Sequence, residues 1–449
     1  MRVAVTNTET TKGERMMKTI NRRSIGAAML LAGTAGIATP AFAGAFYLQD
    51  QSAKATGRAY SGEVADTGVE SLWWNPASIA GMEGGEGALS ATGILPYGEV
   101  NNVNTLIKRP GQPLAPVGGE QSARNPINKG VVPSGAIAHS LGKNLAFGLA
   151  VTAPYNFTTE YSANSWARYT ALRTSLRTID IQPSLALQLT PVISIGGAVN
   201  VEHADATLGN ALPNLSPLLP DGSQTLKGKG WDVGWSAGTQ FRGKTVTVGL
   251  SYKSSIKHTL NGDVVIAGLL GPLAAQNRTV STQAQFSTPW QLTFGGRWAV
   301  TPMLTLNAQA TRFGWSRFKQ ISLGAPLNTA IPEDYRNTWA FAAGFDANVS
   351  PKWTIRGGVQ RDVTPVRPNE RDARVPDSSR WNYALGATHA FSNAFKIDVA
   401  ANYLTLADAP VNRLTAAYAG TPVQTPIVVN GTLQDAHVVV LSLGGRVKF

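Results

Sequence analysis

Val439-Val440-Leu441-Ser442-Leu443-Gly444-Gly445-Arg446-Val447-Lys448-Phe449 ends the chain, and its reading decides the fold. Val439, Leu441, Leu443, Val447 and Phe449 share one parity, while Ser442, Gly444, Arg446 and Lys448 take the other. Side chains alternate faces along a strand, so this segment has one apolar face and one polar or small face. The split recurs upstream. Val246, Val248, Leu250 and Tyr252 oppose Thr245, Thr247, Gly249 and Ser251. Leu304, Leu306, Ala308 and Ala310 oppose Thr305, Asn307, Gln309 and Thr311. A sandwich also alternates, so the connections must arbitrate.

Very short connections stand at Gly142-Lys143-Asn144, Thr190-Pro191, Gly243-Lys244, Thr301-Pro302, Ser350-Pro351-Lys352 and Ser392-Asn393. Between them lie long polar or Pro/Gly-rich insertions at 96–131, 211–228, 325–336, 364–380 and 410–433. Tight turns alternating with long loops predict fourteen strands: 85–95, 132–141, 145–161, 166–189, 192–209, 229–242, 245–266, 277–300, 303–323, 337–349, 352–364, 379–391, 395–409 and 434–449. Short turns at one end and long loops at the other describe a fourteen-stranded antiparallel transmembrane β-barrel of the outer-membrane type, an all-β fold. Closure removes the exposed edges such long strands would otherwise present. Several strands exceed the 9–11 residues that cross a bilayer, and the excess is expected to stand above it.

Composition agrees. Of 449 residues, 43% are hydrophobic and only 15% charged, and no run reaches the length of a helical membrane span. There is no Cys, which excludes a disulfide framework, a thiolate metal site and a cysteine nucleophile. Lys18, Arg22 and Arg23, the apolar stretch from Ile25 to Ile37, and Ala41-Phe42-Ala43 have the layout of a secretory signal peptide, so residues 1–43 are expected to be removed on export. Translation then starts at Met16 or Met17 as readily as at Met1. Removing that segment lowers the formal charge from +12 to +8. The remaining basic residues are scattered among strands, without the stripe that nucleic-acid binding needs. Five histidines, without metal spacing or a G-x-S-x-G elbow, leave no local catalytic motif, although a barrel enzyme such as an outer-membrane lipase is the rival class. Neither a cofactor nor a metal is expected, and the chain is read as a monomer.

Residues 44–84 break the strand pattern. Roughly forty residues carrying Trp73 and Trp74 do not hang free in water, so the lumen is their natural place, as a hatch before the barrel of 85–449. Gly44-Ala45-Phe46-Tyr47-Leu48, Gly57-Arg58-Ala59-Tyr60-Ser61-Gly62-Glu63 and Asn75-Pro76-Ala77 resemble the N-terminal hatch of the FadL family of outer-membrane transporters for long-chain fatty acids and other hydrophobic compounds. The resemblance continues in Trp315-Ser316-Arg317-Phe318, in Pro351-Lys352-Trp353-Thr354-Ile355-Arg356-Gly357-Gly358 and in Arg374-Val375-Pro376-Asp377-Ser378-Ser379-Arg380. It implies a hatch plugging the barrel, passive uptake of a hydrophobic ligand across a Gram-negative outer membrane, and exit through a lateral gap at a kink of the third strand. The family's aromatic-hydrocarbon branch is the alternative. A water-filled lumen suits neither ligand, since exposing each CH₂ costs about 0.8 kcal/mol.

The resemblance places Phe46, Tyr47 and Leu48 at the ligand pocket. For a carboxylate head, Arg58, Arg168, Arg173, Arg177, Arg356, Arg361 and Arg380 are candidates, because a guanidinium makes bidentate hydrogen bonds, although most lumenal arginines pair with Asp or Glu instead. Pro154 cannot donate to a strand ladder, which fits an ordinary irregularity above the membrane as well as an opening; the resemblance implies that Ala153 and Pro154 mark the wall opening. Asn75, Pro76 and Ala77 form a turn expected to brace the hatch against the wall and to satisfy part of the gap. Lys108 and Arg109 fall in a long loop and are expected to be solvated or near lipopolysaccharide phosphates.

Overall fold

The computed structural model of the chain describes residues 44–449. The expected export signal, with Met16 and Met17, lies outside the described residues. Fourteen antiparallel strands form the wall. They are β1 (Gly85–Asn102), β2 (Gly130–Ser140), β3 (Leu145–Thr152, resumed as Asn156–Glu160), β4 (Arg173–Gln188), β5 (Ile193–Leu212), β6 (Gly222–Arg242) and β7 (Val246–Lys253, resumed as Lys257–Ala267). They continue as β8 (Arg278–Ser287, resumed as Gln291–Ala299), β9 (Leu304–Phe313), β10 (Thr338–Ser350), β11 (Trp353–Asp362), β12 (Arg380–Ala390), β13 (Phe395–Leu406) and β14 (Thr425–Lys448). Each pairs with the next, and β14 returns to β1 from Glu86↔Lys448 to Asn102↔Gly431, closing the barrel. Gly85 N donates to Phe449 O at 2.6 Å and Phe449 N to Gly85 O at 2.8 Å, so both ends of the wall sit beside the short turns.

The outward face carries the apolar parity found in the sequence. Trp298, Trp353, Phe241, Phe391 and Phe395 are exposed near the short turns, and Trp231, Trp339, Trp381 and Tyr403 near the loop end. Trp381 and Phe391 stand about ten residues apart along β12, the span a tilted strand needs to cross hydrocarbon. These are the two aromatic girdles of an outer-membrane barrel.

Beyond the loop-side girdle the wall is taller than alternation predicts. β1 runs to Asn102 instead of 95, β6 begins at Gly222 instead of 229, and β14 at Thr425 instead of 434. Ala409–Ala417 pairs with the top of β14, so most of the 410–433 stretch is hairpin, not loop. Conversely, 166–172 is turn, and β4 starts at Arg173. Lipid no longer demands an apolar face at that height, so polar residues occupy both faces and the period fades.

Residues 44–84 fold inside the lumen and are buried almost throughout. A single helical turn, Ala53–Thr56, is capped by Ser52, whose Oγ accepts from Ala55 N. Three 3₁₀ turns follow at Glu63–Ala65, Val69–Ser71 and Pro76–Ile79. Glycines on the inner wall let the two backbones touch: a Cβ on Gly358 would lie 2.2 Å from Arg58 O.

Candidate functional site

Above the hatch lies a cavity of about 760 Å³, mouth included. Its walls come from β3 to β8 and the loops: Phe157, Leu176, Leu208, Leu226, Leu260, Phe286 and Phe318 are among the lining side chains. Phe46, near the start of the hatch, forms part of this lining, its ring 5.8 Å from Phe157, 5.0 Å from Trp315 and 5.2 Å from Phe318. The stacked Phe157 and the edge-to-face Trp315 and Phe318 at these separations hold the Phe46 ring in place. Polar groups gather at one end, where Glu333, Glu370, Asp372 and Arg374 line the cavity. Arg374 Nε and Nη2 donate to Asp372 Oδ2 at 3.0 and 2.7 Å, and Arg413 Nη1 reaches the same oxygen at 3.1 Å. Burial opposes the Asp372 charge, but Arg374 and Arg413 hold its carboxyl below the usual range. Burial wins at Glu333 and pushes it up to about 7, against the pull of the same two arginines.

Most of the residues singled out from the sequence lie elsewhere. Tyr47 is one layer behind, its OH donating to Gln291 Oε1 at 2.9 Å and its ring beside Trp73, Tyr155 and Phe313. Leu48 packs in a separate cluster with Ile94, Val132, Ala153 and Leu404. None of the seven candidate arginines lines the cavity. Arg168 bonds Asp221 at 2.8 Å, Arg173 pairs with Glu160 on the outside, and Arg177 is exposed. Arg361 lies over Trp381, and Arg380 is buried against Asp377 and Asp362. Arg374, quoted above only as part of a family-like motif, is the arginine that reaches the cavity. Its neighbours Glu333, Asp372 and Arg413 come from irregular connections and a loop hairpin, where no period marks them.

Arg58 ties the hatch to the wall, and Arg356 holds together the wall carboxylates beside it. Arg58, fully buried, donates to Glu63 Oε1 at 2.8 Å, Asp66 Oδ2 at 2.5 Å and, on β10, Asp346 Oδ2 at 3.0 Å. Arg356 bridges Asp346 and Asp398 at 3.1 and 3.0 Å. Arg297 reaches Asp66 and Asp346, and Arg446 reaches Glu70 at 2.9 Å. Such pairs cost desolvation to form, but once formed they are expensive to break one-sidedly.

The wall opens at β3. Thr152 pairs with Asp180 and Asn156 with Arg177, so the chain around Pro154 takes one residue more than β4 opposite it. The β2–β3 ladder stops at Gly135↔Val151, leaving Gly130–Ser134 without a partner on that side. The hatch supplies what is missing. Gln51 Oε1 accepts from Ala153 N at 3.0 Å, and Gln51 Nε2 donates to Ala153 O at 3.1 Å. Leu48 N donates to Pro154 O at 2.7 Å, and Asn156 N to Phe46 O at 3.2 Å. Buried backbone groups need partners, and here three hatch residues provide them. A second cavity of about 280 Å³, lined by Gln51, Trp73, Gly135, Ala136, Ala150 and Thr152, lies against this break. The Asn75-Pro76-Ala77 turn is not part of it. Asn75 Oδ1 caps Ala77 N at 3.0 Å, while Nδ2 donates to Val64 O and, on β6, to Thr239 O at 3.2 Å. That turn meets β5 and β6, and Gln51, unmarked by any motif, stands at the gap.

Residues 34–449 match the family model described as outer membrane protein transport protein (OMPP1/FadL/TodX). The chain belongs to this family. Within it, the chain is 26% identical over 405 residues to the long-chain fatty acid transport protein of Escherichia coli O6:H1, covering 82% of this chain and 88% of that one. It is 26% identical over 432 residues to outer membrane protein P1 of Haemophilus influenzae, covering 86% and 90%. Among solved structures, a Pseudomonas aeruginosa FadL homologue superposes with a TM-score of 0.78 at 22% identity, over 90% of this chain and all of that one. The Ralstonia pickettii toluene transporter TbuX gives 0.62 at 17% identity, over 90% and 99%. These likenesses agree on the barrel, and an outer-membrane transport role for hydrophobic compounds follows from the family.

Proposed function

We propose that this FadL-family barrel takes up long-chain fatty acids or similar hydrophobic molecules passively, holds them in the cavity above Phe46, and releases them sideways through the break between β2 and β3. The observation that carries this reading is the substitution of hatch for wall at Ala153–Asn156. Phe46 joins the two halves of the path, because its ring lines the cavity while its carbonyl accepts from Asn156 N at the break. A shift of Phe46 to Gln51 opens both at once and leaves the rest of the hatch in place. Straight passage would instead have to break the pairs that Arg58, Arg297 and Arg446 make between hatch and wall, with no energy source in the chain. No covalent step is needed, and residues 1–43, 44–84 and 85–449 are read as export signal, hatch and barrel.

The test uses the absence of native Cys. A Cβ on Gly444 would lie 3.0 Å from Ala53 Cβ and 2.8 Å from Ser90 Oγ, so Ala53→Cys with Gly444→Cys reaches disulfide geometry, with Cβ atoms about 3.5–4.5 Å apart, once the two backbones separate slightly and Ser90 turns aside. That bridge fixes the hatch body but not Phe46–Gln51. Uptake of labelled oleate should survive the tether and fall at least tenfold in Ala150→Phe, which fills the cavity at the break. Loss of uptake on tethering, with Ala150→Phe harmless, would reject lateral release.

A further inference from the structure

The polar end of the cavity carries more negative than positive groups. Glu333, Glu370 and Asp372 line it, against Arg374 in the lining and Arg413 behind. Both cations are already committed. Asp372 takes the Nε and Nη2 of Arg374, the Arg374 backbone N–H at 2.8 Å and Arg413 Nη1. Arg413 Nη1 also stands 3.5 Å from Glu333 Oε2, and its Nη2 donates to Pro332 O. Glu370 has no ion-pair partner among the described residues. Acceptors are therefore in excess where a ligand's head group would rest, and a carboxylate arriving there meets three carboxyl groups whose countercharges are spent.

We propose that the ligand docks with an uncharged, proton-donating head group, as an alcohol, an amide or a protonated carboxylic acid, its O–H or N–H donating to Glu333 or Glu370. This rests on the reading of the cavity as the transport site and narrows it. A fatty acid that docks must first take a proton from solvent, which forms the O–H bond and leaves no net charge on the head. Facing Glu333 are Arg374 and Asp372 from the connection after β11, Arg413 from the loop hairpin, Glu370 across the cavity and Tyr335 on its own loop. Glu333 itself titrates near neutrality, so acidification also removes one of the repelling charges. Both changes act in the same direction: fatty-acid binding tightens as pH falls, by up to about tenfold per pH unit for each proton taken up, whereas binding of an alcohol has no proton of its own to gain.

The experiment compares tritiated 1-dodecanol and tritiated dodecanoate binding to the full barrel in lipid nanodiscs, with empty nanodiscs subtracted. At about pH 8.5 dodecanoate should bind at least tenfold more weakly than dodecanol and should approach it by about pH 5.5, as expected for linked proton uptake. Glu333→Gln should raise the dodecanoate-to-dodecanol affinity ratio at the higher pH about tenfold, by lifting one repelling charge. Glu370→Gln should move the ratio the same way, and serves if the first variant does not fold. Dodecanoate binding as tightly as dodecanol at high pH, or a ratio that neither pH nor these variants move, would overturn the proposal. Absence of binding by both ligands at every pH would instead overturn the transport-site reading on which it stands.

Discussion

Replacing Arg58 by Met should release the hatch while leaving the wall closed. The guanidinium makes hydrogen bonds to three carboxylates, two in the hatch and Asp346 on β10. Asp66 keeps Lys54 at 2.9 Å and Arg297 at 3.3 Å, and Asp346 keeps Arg297 and Arg356. Glu63 is different: after the substitution its carboxylate retains the Ser71 hydroxyl at 3.0 Å and the field of Lys54, but no ion pair among the described residues. One buried carboxylate stripped of its partner costs about 3–5 kcal/mol. At about 1.4 kcal/mol per factor of ten, local opening of residues 58–71 becomes two to three and a half powers of ten more frequent. The strands feel little of this, because their ladders do not run through Arg58. Hydrogen–deuterium exchange with peptide resolution reads the two regions separately. Hatch amides exchanging within tenfold of the parent rate, or wall and hatch losing protection together, would show that Arg58 does not anchor the hatch as argued.

Phe46→Ala should weaken ligand binding and loosen the first hatch residues, since truncating a buried Phe costs about 3–5 kcal/mol; equilibrium binding and limited proteolysis near residue 46 check both effects. Gly238→Ala should reproduce the proteolytic sensitivity of Asn75→Ala, because the added Cβ would lie 1.9 Å from Asn75 Oδ1 and expel the cap that joins the hatch to β6. N-terminal sequencing of protein from outer membranes should begin at or close to Gly44, and a start well upstream would remove the export-signal reading. In detergent, the mature chain should migrate differently before and after boiling and give a β-type circular dichroism spectrum; a helix-dominated spectrum would contradict the barrel.

The wall was legible because lipid on one side and a packed lumen on the other force a period of two, and because turns such as Gly142-Lys143-Asn144 are too short to be anything else. Legibility fails where that forcing stops. Gln224, Lys227 and Lys229 lie at the top of β6, where water replaces lipid and a polar side chain suits either face. Pro154 disclosed the broken ladder through its missing N–H, yet nothing local distinguishes Gln51, which repairs the break from a hundred residues away. The arginines show the same limit. Each of the seven candidates could face a ligand or a carboxylate on sequence grounds, and only the packed lumen reveals that Arg58, Arg356 and Arg380 are held by Asp and Glu.

The mutual hydrogen bonds of Gly85 and Phe449 set a condition on biogenesis. Synthesis and export deliver the hatch first and β14 last, yet Arg58 and Glu70 find their wall partners on β10 and β14 only when those later segments have arrived. Closure of β14 on β1 joins the first and last strands of the wall and carries the largest loop-closure cost among its strand pairings. The wall is therefore wrapped around its own plug in the last step of assembly, and a chain lacking the final strand leaves β1 unpaired on that side and Glu70 without Arg446.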